Sequence, residues 1–543
     1  MYGVMNEYQV SIGESTCPSR VWAAPIGYGG KALLEASELS QIALERCTTA
    51  LCAVKLMGEL AEQYGFYSAQ WDGNDLDDTM GEGGEALTVA DPTEAWMFHI
   101  IPDDTGTSAV WVARRVPDNH VTAVANQFVI REVDPNDSDF LYSSNLWDVA
   151  QRLGYWSNTT GQLLDFLTTY GIQRFHPAYA TRRVWRILSL AAPSLNLPAE
   201  TDVWGSDYPF SVAAESPLAV TDIMRILRDH YEGTEFSTAE GVAGGPYGDP
   251  NRWDLGNNGN LTYAQEMPGE FPRTISLFRT SYSFVAVARS WVPNMLGHIW
   301  LCQYAPVHSS YTPMYVASEK LPLPFIRGAM QRYDEESAWW NFCAVGNYAS
   351  RFYIFTLPDI QKLQQQLFAN ISFAQSTLEQ RVLLMTRAAA IMDSSGSVVA
   401  SGQPDGWIAE AVALITEFTT HSGEEISHAW RKFLPYLFET YRDGQIVTTN
   451  LTYIIRKSMF YPDWWLTLVG YWNIGGNPTG IFFEPNPASI SGSLNENAIE
   501  EVSWSSTYFA AVAMILIGFV FGRQSAIKSR RRDYEPIIEK TSV

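Results

Sequence analysis

Three short stretches of the chain carry side chains from which chemistry could be built. In the first, Ala125-Asn126-Gln127 interrupts the otherwise apolar run from Thr122 to Ile130. An amide placed there must find partners, so Asn126 is either a structural bridge or a donor aimed at a substrate oxygen. In the second, Tyr179-Ala180-Thr181-Arg182-Arg183-Val184-Trp185-Arg186 interleaves three arginines with large apolar groups. Such arginines either snorkel and pair with the abundant carboxylates or orient a substrate or catalytic group. The third, Met5 to Cys17 (MNEYQVSIGESTC), alternates like a strand and ends in small polar residues, a pattern suited to presenting side chains or backbone amides at a cleft.

Other chemistries find no motif. The chain has no His-Glu-x-x-His, no Gly-x-Ser-x-Gly, no phosphate-binding glycine loop and no Cys-x-x-Cys. His421 and His428 flank Glu424 and Glu425, but their seven-residue spacing reads as a solvated helix face, and no metal or other cofactor is expected. The five cysteines, Cys17, Cys47, Cys52, Cys302 and Cys343, have no metal spacing; one or two disulfides would suit an oxidising lumen, with pairing open. An excess of 59 acidic over 36 basic residues, net −23, with no basic stripe upstream of the C-terminus, argues against nucleic-acid binding.

The elements that must position these residues read as an α+β fold. From Ser37, a candidate cap, to Gly65, a natural stop, apolar residues recur at helical spacing in two consecutive helices. The runs Ala86 to Ala90, Ala95 to Ile100, Ala109 to Ala113 and Thr122 to Ile130 then read as an antiparallel meander. A second mixed segment includes a helix-like run from Val220 to Tyr231 and a strand-like run from Ser281 to Ala288. Residues 1–356 are taken as the core, 357–442 as its helical part, and 443–504 as a packed, irregular extension.

The strings MNEYQVSIGESTC, ELSQIALERC, GEALTVADPTEAWMFHI, DDTGTSAVWVARRVPDNHVTAVANQFVIREVD, RRVWRILSLAAPS, RDHYEGTEF, FRTSYSFVAVARSW and ESAWWNFCAVGNYA occur in consistent order over most of residues 1 to about 440. Together they resemble the secernin- and PepD-like dipeptidase family of N-terminal-nucleophile hydrolases. The resemblance implies four αββα layers and hydrolysis of dipeptides. The nucleophile would be a cysteine at the mature N-terminus, with its own α-amine as general base and preorganised donors holding the oxyanion. By the same resemblance, Asn126 is the candidate oxyanion or substrate-amide contact, and Arg183, or else Arg182, the group holding the catalytic centre. Glu14, Thr16 and Asp91 become candidate pocket residues, a carboxylate suiting the substrate's α-ammonium. GESTC aligns with a strand well inside the family's domain, so the nucleophile is expected upstream of Met1, in a chain lacking its first strands. Cys17, which follows that strand and precedes Pro18, is a poor substitute. Gln9 replaces a glycine usual in the family, at little cost if its φ is negative. The competing functions are a catalytically inactive binding or scaffold glycoprotein, and an amidase of the same superfamily acting on acyl-amides.

The C-terminus suggests where such a domain would work. Residues 505–522 form an uncharged, apolar stretch near the minimum length for spanning a bilayer, and Arg523, Lys528, Arg530, Arg531 and Arg532 follow it. One membrane helix with a cytosolic tail, 523–543, is therefore expected, leaving the preceding residues lumenal or extracellular. Asn136, Asn158, Asn260, Asn370 and Asn450 each open a glycosylation triplet on that side. Tyr534-Glu535-Pro536-Ile537 has the form of a sorting signal read by an adaptor, pointing to an endosomal, lysosomal or vacuolar membrane.

Overall fold

The first helix pair forms where the apolar spacing places it, between Ala36–Arg46 (α1) and Ala50–Tyr64 (α2). A computed structural model describes residues 4–68, 83–172, 178–251, 271–395, 406–449 and 454–471. Glu35, rather than Ser37, occupies the cap of α1: its backbone N–H donates to the Glu38 carboxylate at 3.0 Å, and the Ser37 hydroxyl is taken by the Glu35 carboxylate. Thr49 caps α2, accepting from Cys52 N, and Gly65 ends it at φ 76°. A disulfide between Cys47 and Cys52 closes the turn joining the two helices.

Both helices lie on a five-stranded antiparallel sheet formed, in order, by Ser11–Cys17 (β1), Gly84–Ala90 (β2), Ala95–Pro102 (β3), Ala109–Val116 (β4) and Phe140–Tyr142 (β5). Strand alternation divides this sheet into two faces. Ile12, Leu87, Val89, Phe98, Ile100 and Trp111 pack against α1 and α2, where Ala43, Ala50, Ala53, Met57 and Ala61 complete a dry core. Gly58 allows the closest approach: a Cβ there would lie 2.3 Å from the Trp111 indole. The opposite face carries Cys17, Ala86, Met97, Ile101, Val110 and Val112, covered by Phe128, Ile130, Phe166 and Tyr170.

The expected strand from Thr122 to Ile130 does not form; a two-residue strand, His120–Val121, ends just before it. Asn126 adopts φ 55°, which bends the chain out of any ladder. The side chain of His99 replaces the missing partner strand, its Nε2 accepting from Val129 N at 3.0 Å and Ile130 N at 3.2 Å. Burial between Phe128 and Phe166 pulls the His99 pKa down to about 3, which keeps the imidazole neutral and able to accept.

A second antiparallel sheet comprises Tyr282–Val287 (β6), His298–Gln303 (β7) and Thr312–Tyr315 (β8). Its core joins Val285, Trp300 and Cys302 to Phe342, Val345, Ile360, Ile426 and Trp430 from the helices Ala338–Ala349, Tyr353–Ser395 and Gly406–Thr440. The two sheets meet along β1, where a Cβ on Gly13 would lie 3.8 Å from Phe284. Gln9, just before β1, does not have negative φ: it sits at 67°, a conformation costing about 1–2 kcal/mol without compensation. The compensation is its buried side chain, which donates to Arg289 O and Asn294 Oδ1 and accepts from Arg289 N.

The helix expected from Val220 to Tyr231 ends at Ile226, and residues 445–458 contain a hairpin, Gln445–Thr449 with Ile454–Ser458, where irregular chain was expected. The described residues up to Trp465 form one compact unit. The expected membrane helix at 505–522, the cytosolic tail and Tyr534 lie outside the described residues, as do Asn260 and Asn450. Among the described residues no helix is long and apolar enough to cross a membrane.

Candidate active site

The helix Ala178–Ala191 carries the three arginines, and the structure separates their roles. Arg183 reaches the bend at Asn126: its Nη2 donates to Asn126 Oδ1 at 3.1 Å and to Ala125 O at 3.3 Å. Its Nε donates to Tyr179 O, and the guanidinium lies 4.9 Å from the centroid of the Tyr179 ring. Asn126 is held from the other side by β1. Its N–H donates to Ser15 Oγ at 2.9 Å, and its Nδ2 donates to Thr16 O at 2.7 Å. The amide is thus fixed on three sides, and a guanidinium on Oδ1 polarises it so that Nδ2 becomes a stronger donor. Among the described contacts, one Nδ2 hydrogen is left for an external acceptor.

The other sequence candidates are not brought to this point. Glu14 and Thr16 alternate with Ser15, so their side chains emerge from the opposite side of β1, where Thr16 Oγ1 donates to Glu14 at 2.8 Å. Thr16 still contributes, but through its carbonyl. Asp91 is spent on the backbone: it accepts from Ala50 N, Thr93 N, Thr93 Oγ1 and Glu94 N. Burial pushes its carboxyl pKa up, but these donors outweigh it and hold the group below the ordinary value. It joins the start of α2 to the β2–β3 turn. Arg182 turns away, stacking 3.8 Å from the Phe236 ring centroid and pairing with Glu200 at 3.3 Å. Arg186 makes a bidentate pair with Asp229, at 2.6 and 2.9 Å. His421 and His428 are exposed on the Gly406–Thr440 helix.

Sequence reasoning missed Ser15 and His99. Ser15 could have been found by carrying the two-residue period of β1 from Ser11 through Gly13. His99 gave no such signal, because a lone histidine inside an apolar strand says nothing about which backbone it will hold.

None of the five cysteines occupies a nucleophile's position. Cys47 and Cys52 are bonded to each other. Cys17 is buried, its thiol 3.3 Å from Ser15 O. Burial pushes the Cys302 thiol up to about 12 and raises that of Cys343. A thiol so far from ionisation is a poor nucleophile.

The sequence profile of peptidase family C69 matches residues 3–366, a span containing both sheets and the Asn126 cluster. The chain belongs to peptidase family C69. A probable dipeptidase of Latilactobacillus sakei is 26% identical over 310 residues, covering 56% of this chain and 55% of that protein. A probable dipeptidase of Salmonella dublin is 26% identical over 311 residues, covering 56% and 60%, and the probable dipeptidase B of Lactococcus lactis is 21% identical over 370, covering 65% and 66%. The C69 chain thus spans a little over half to two thirds of the length of these relatives.

Proposed function

We propose that this chain carries the core of a cysteine-type dipeptidase with the αββα layering of N-terminal-nucleophile hydrolases. Family membership and the names of the relatives support the reaction class. The observation that carries the site is the Asn126 amide, held by β1 and polarised by Arg183. In the proposed reaction a thiolate sulfur attacks the scissile carbonyl carbon while the free α-amine of the same cysteine takes the thiol proton. The tetrahedral oxyanion accepts from Asn126 Nδ2. The peptide C–N bond then breaks as that proton passes to the leaving amine, and water hydrolyses the thioester. Arg183 is a positioning residue, acting through Asn126.

Because the five cysteines are disulfide-bonded, buried or raised in pKa, the proposal assigns the nucleophile to a cysteine outside this set, with a free α-amine of its own. Mapping the 5′ end of the transcript tests that assignment. An in-frame upstream segment that leaves a cysteine at the mature start supports it, whereas a stop codon immediately before Met1 overturns it. With the complete protein, dipeptides should be hydrolysed in preference to N-acyl amino acids; turnover of only the acyl substrates would make it an amidase. Arg183→Lys should lower kcat about tenfold with little change in KM, since lysine keeps the charge and loses the fork that holds Asn126.

We further propose a lumenal or extracellular placement, tethered through 505–522. The Cys47–Cys52 disulfide favours an oxidising compartment, and Asn136, Asn158 and Asn370 are exposed and could accept glycans. A mobility shift on glycosidase treatment of the protein from its native membrane supports this placement, and protease sensitivity from the cytosolic side of sealed vesicles counts against it.

A further inference from the structure

Beyond the Asn126 cluster, a cavity of about 540 Å³ opens between the Arg186 end of the Ala178–Ala191 helix, the Val220–Ile226 helix and the start of the Tyr353–Ser395 helix. Its volume falls in the range of about 300–1,000 Å³ typical of small-molecule sites. Three arginines line it, with different degrees of compensation. Arg186 is neutralised by Asp229. Arg225 is two-thirds exposed at the rim and pairs with Asp222. Among the described contacts Arg228 donates its Nε alone, to Pro306 O at 2.9 Å, and its guanidinium lies 5.2 Å from the Tyr311 ring centroid. No carboxylate among the described residues pairs with Arg228. Glu232, which also lines the cavity, accepts from the His230 backbone and Nδ1 instead.

A guanidinium withdrawn from water without an anion is costly, and burial draws the pKa of Arg228 down. The terminal nitrogens of Arg228 form the planar donor pair that fits a carboxylate. The rest of the lining narrows the ligand. Met224, Val307, Leu357 and Phe368 give it an apolar wall. A single guanidinium without a carboxylate partner, in a cavity that also holds Glu232, matches a monoanion better than a phosphate dianion, which would need further cations.

We propose that this cavity is a binding site, separate from the Asn126 cluster, for a small organic monocarboxylate with an apolar body, its carboxylate paired with Arg228. The probes are N-acetyl-leucine and its neutral counterpart N-acetyl-leucinamide, titrated calorimetrically into the full chain. The acid should bind at least tenfold more tightly than the amide. Arg228→Gln should remove that preference, and Leu190→Trp, which narrows the cavity from a partly exposed position, should weaken the acid at least tenfold. Equal affinities, no binding of either probe, or undiminished binding in either folded variant overturns the proposal. If Arg228→Gln does not fold, the comparison of probes on the unaltered chain and the Leu190→Trp titration decide. All readouts are of binding, so a failure to hydrolyse dipeptides would not affect them.

Discussion

The two faces of the first sheet are held by different means. Toward α1 and α2 the contact is apolar, regular and tight enough to require glycine at position 58. Toward Asn126 the backbone leaves regular structure, and single side chains hold it: His99 on residues 129–130, Arg183 on 125–126, Ser15 on Asn126. A face built from area tolerates small errors in each contact, whereas a face built from a few directed bonds fails when one is lost. The second arrangement fixes a donor to within the tolerance that catalysis needs.

Acid gives the largest test of this contrast. Below about pH 6.5 the unfolded chain protonates at His99, whereas the folded chain refuses the proton until about pH 3. The unfolded state binds more protons across that window, so stability falls as pH falls, by about 1.4 kcal/mol per unit, or about 3.4 kcal/mol by pH 4. His298, at about 4, and His308, at about 3, add the same sign in the second sheet's core. Urea unfolding at pH 7 and pH 4 should give His99→Gln a shallower loss than the unaltered chain; equal losses would remove His99 as the acid-sensitive strut. Next, Asn126→Ala in the complete enzyme should lower kcat about 10²-fold with folding intact, equivalent to about 2.7 kcal/mol. An unchanged kcat would make the directed-bond face purely structural. On the helix face, Gly58→Ala drives a methyl into Trp111 and should cost about 2 kcal/mol by thermal unfolding, without changing KM in the surviving fold. The smallest effect is at Gln9→Gly: relief of a left-handed backbone is outweighed by loss of three hydrogen bonds, for a net loss of about 1 kcal/mol. A more stable glycine variant would mean that those bonds contribute nothing.

The same contrast decides what could be read from the sequence. α1, α2 and β2 to β4 announce themselves through periods of 3.6 and 2, because burial of one face repeats along the chain. Asn126 and Arg183 were legible as residue types out of place, and the structure brings them together. The alternation of β1 was legible too, but Glu14 and Thr16 were named from the family resemblance, which does not say which side of the strand faces Asn126; the side chain that does is Ser15. Asp91 looked like a substrate carboxylate because a local string cannot reveal that Ala50 N, 41 residues earlier, consumes it. The bend at Asn126 escaped for a related reason: its backbone N–H donates to the Ser15 hydroxyl, 111 residues upstream. Such bonds have no period.

Gln9 sets a timetable for synthesis. The groups that make its left-handed conformation tolerable, Arg289 and Asn294, are made 280 and 285 residues after it. At about 5–20 residues per second that interval lasts about 15–55 s. During it, β1 can pair with β2 but cannot take its final entry angle. The nascent first sheet therefore waits for that final angle until the start of the second sheet has been translated and Gln9 can bond to Arg289 and Asn294.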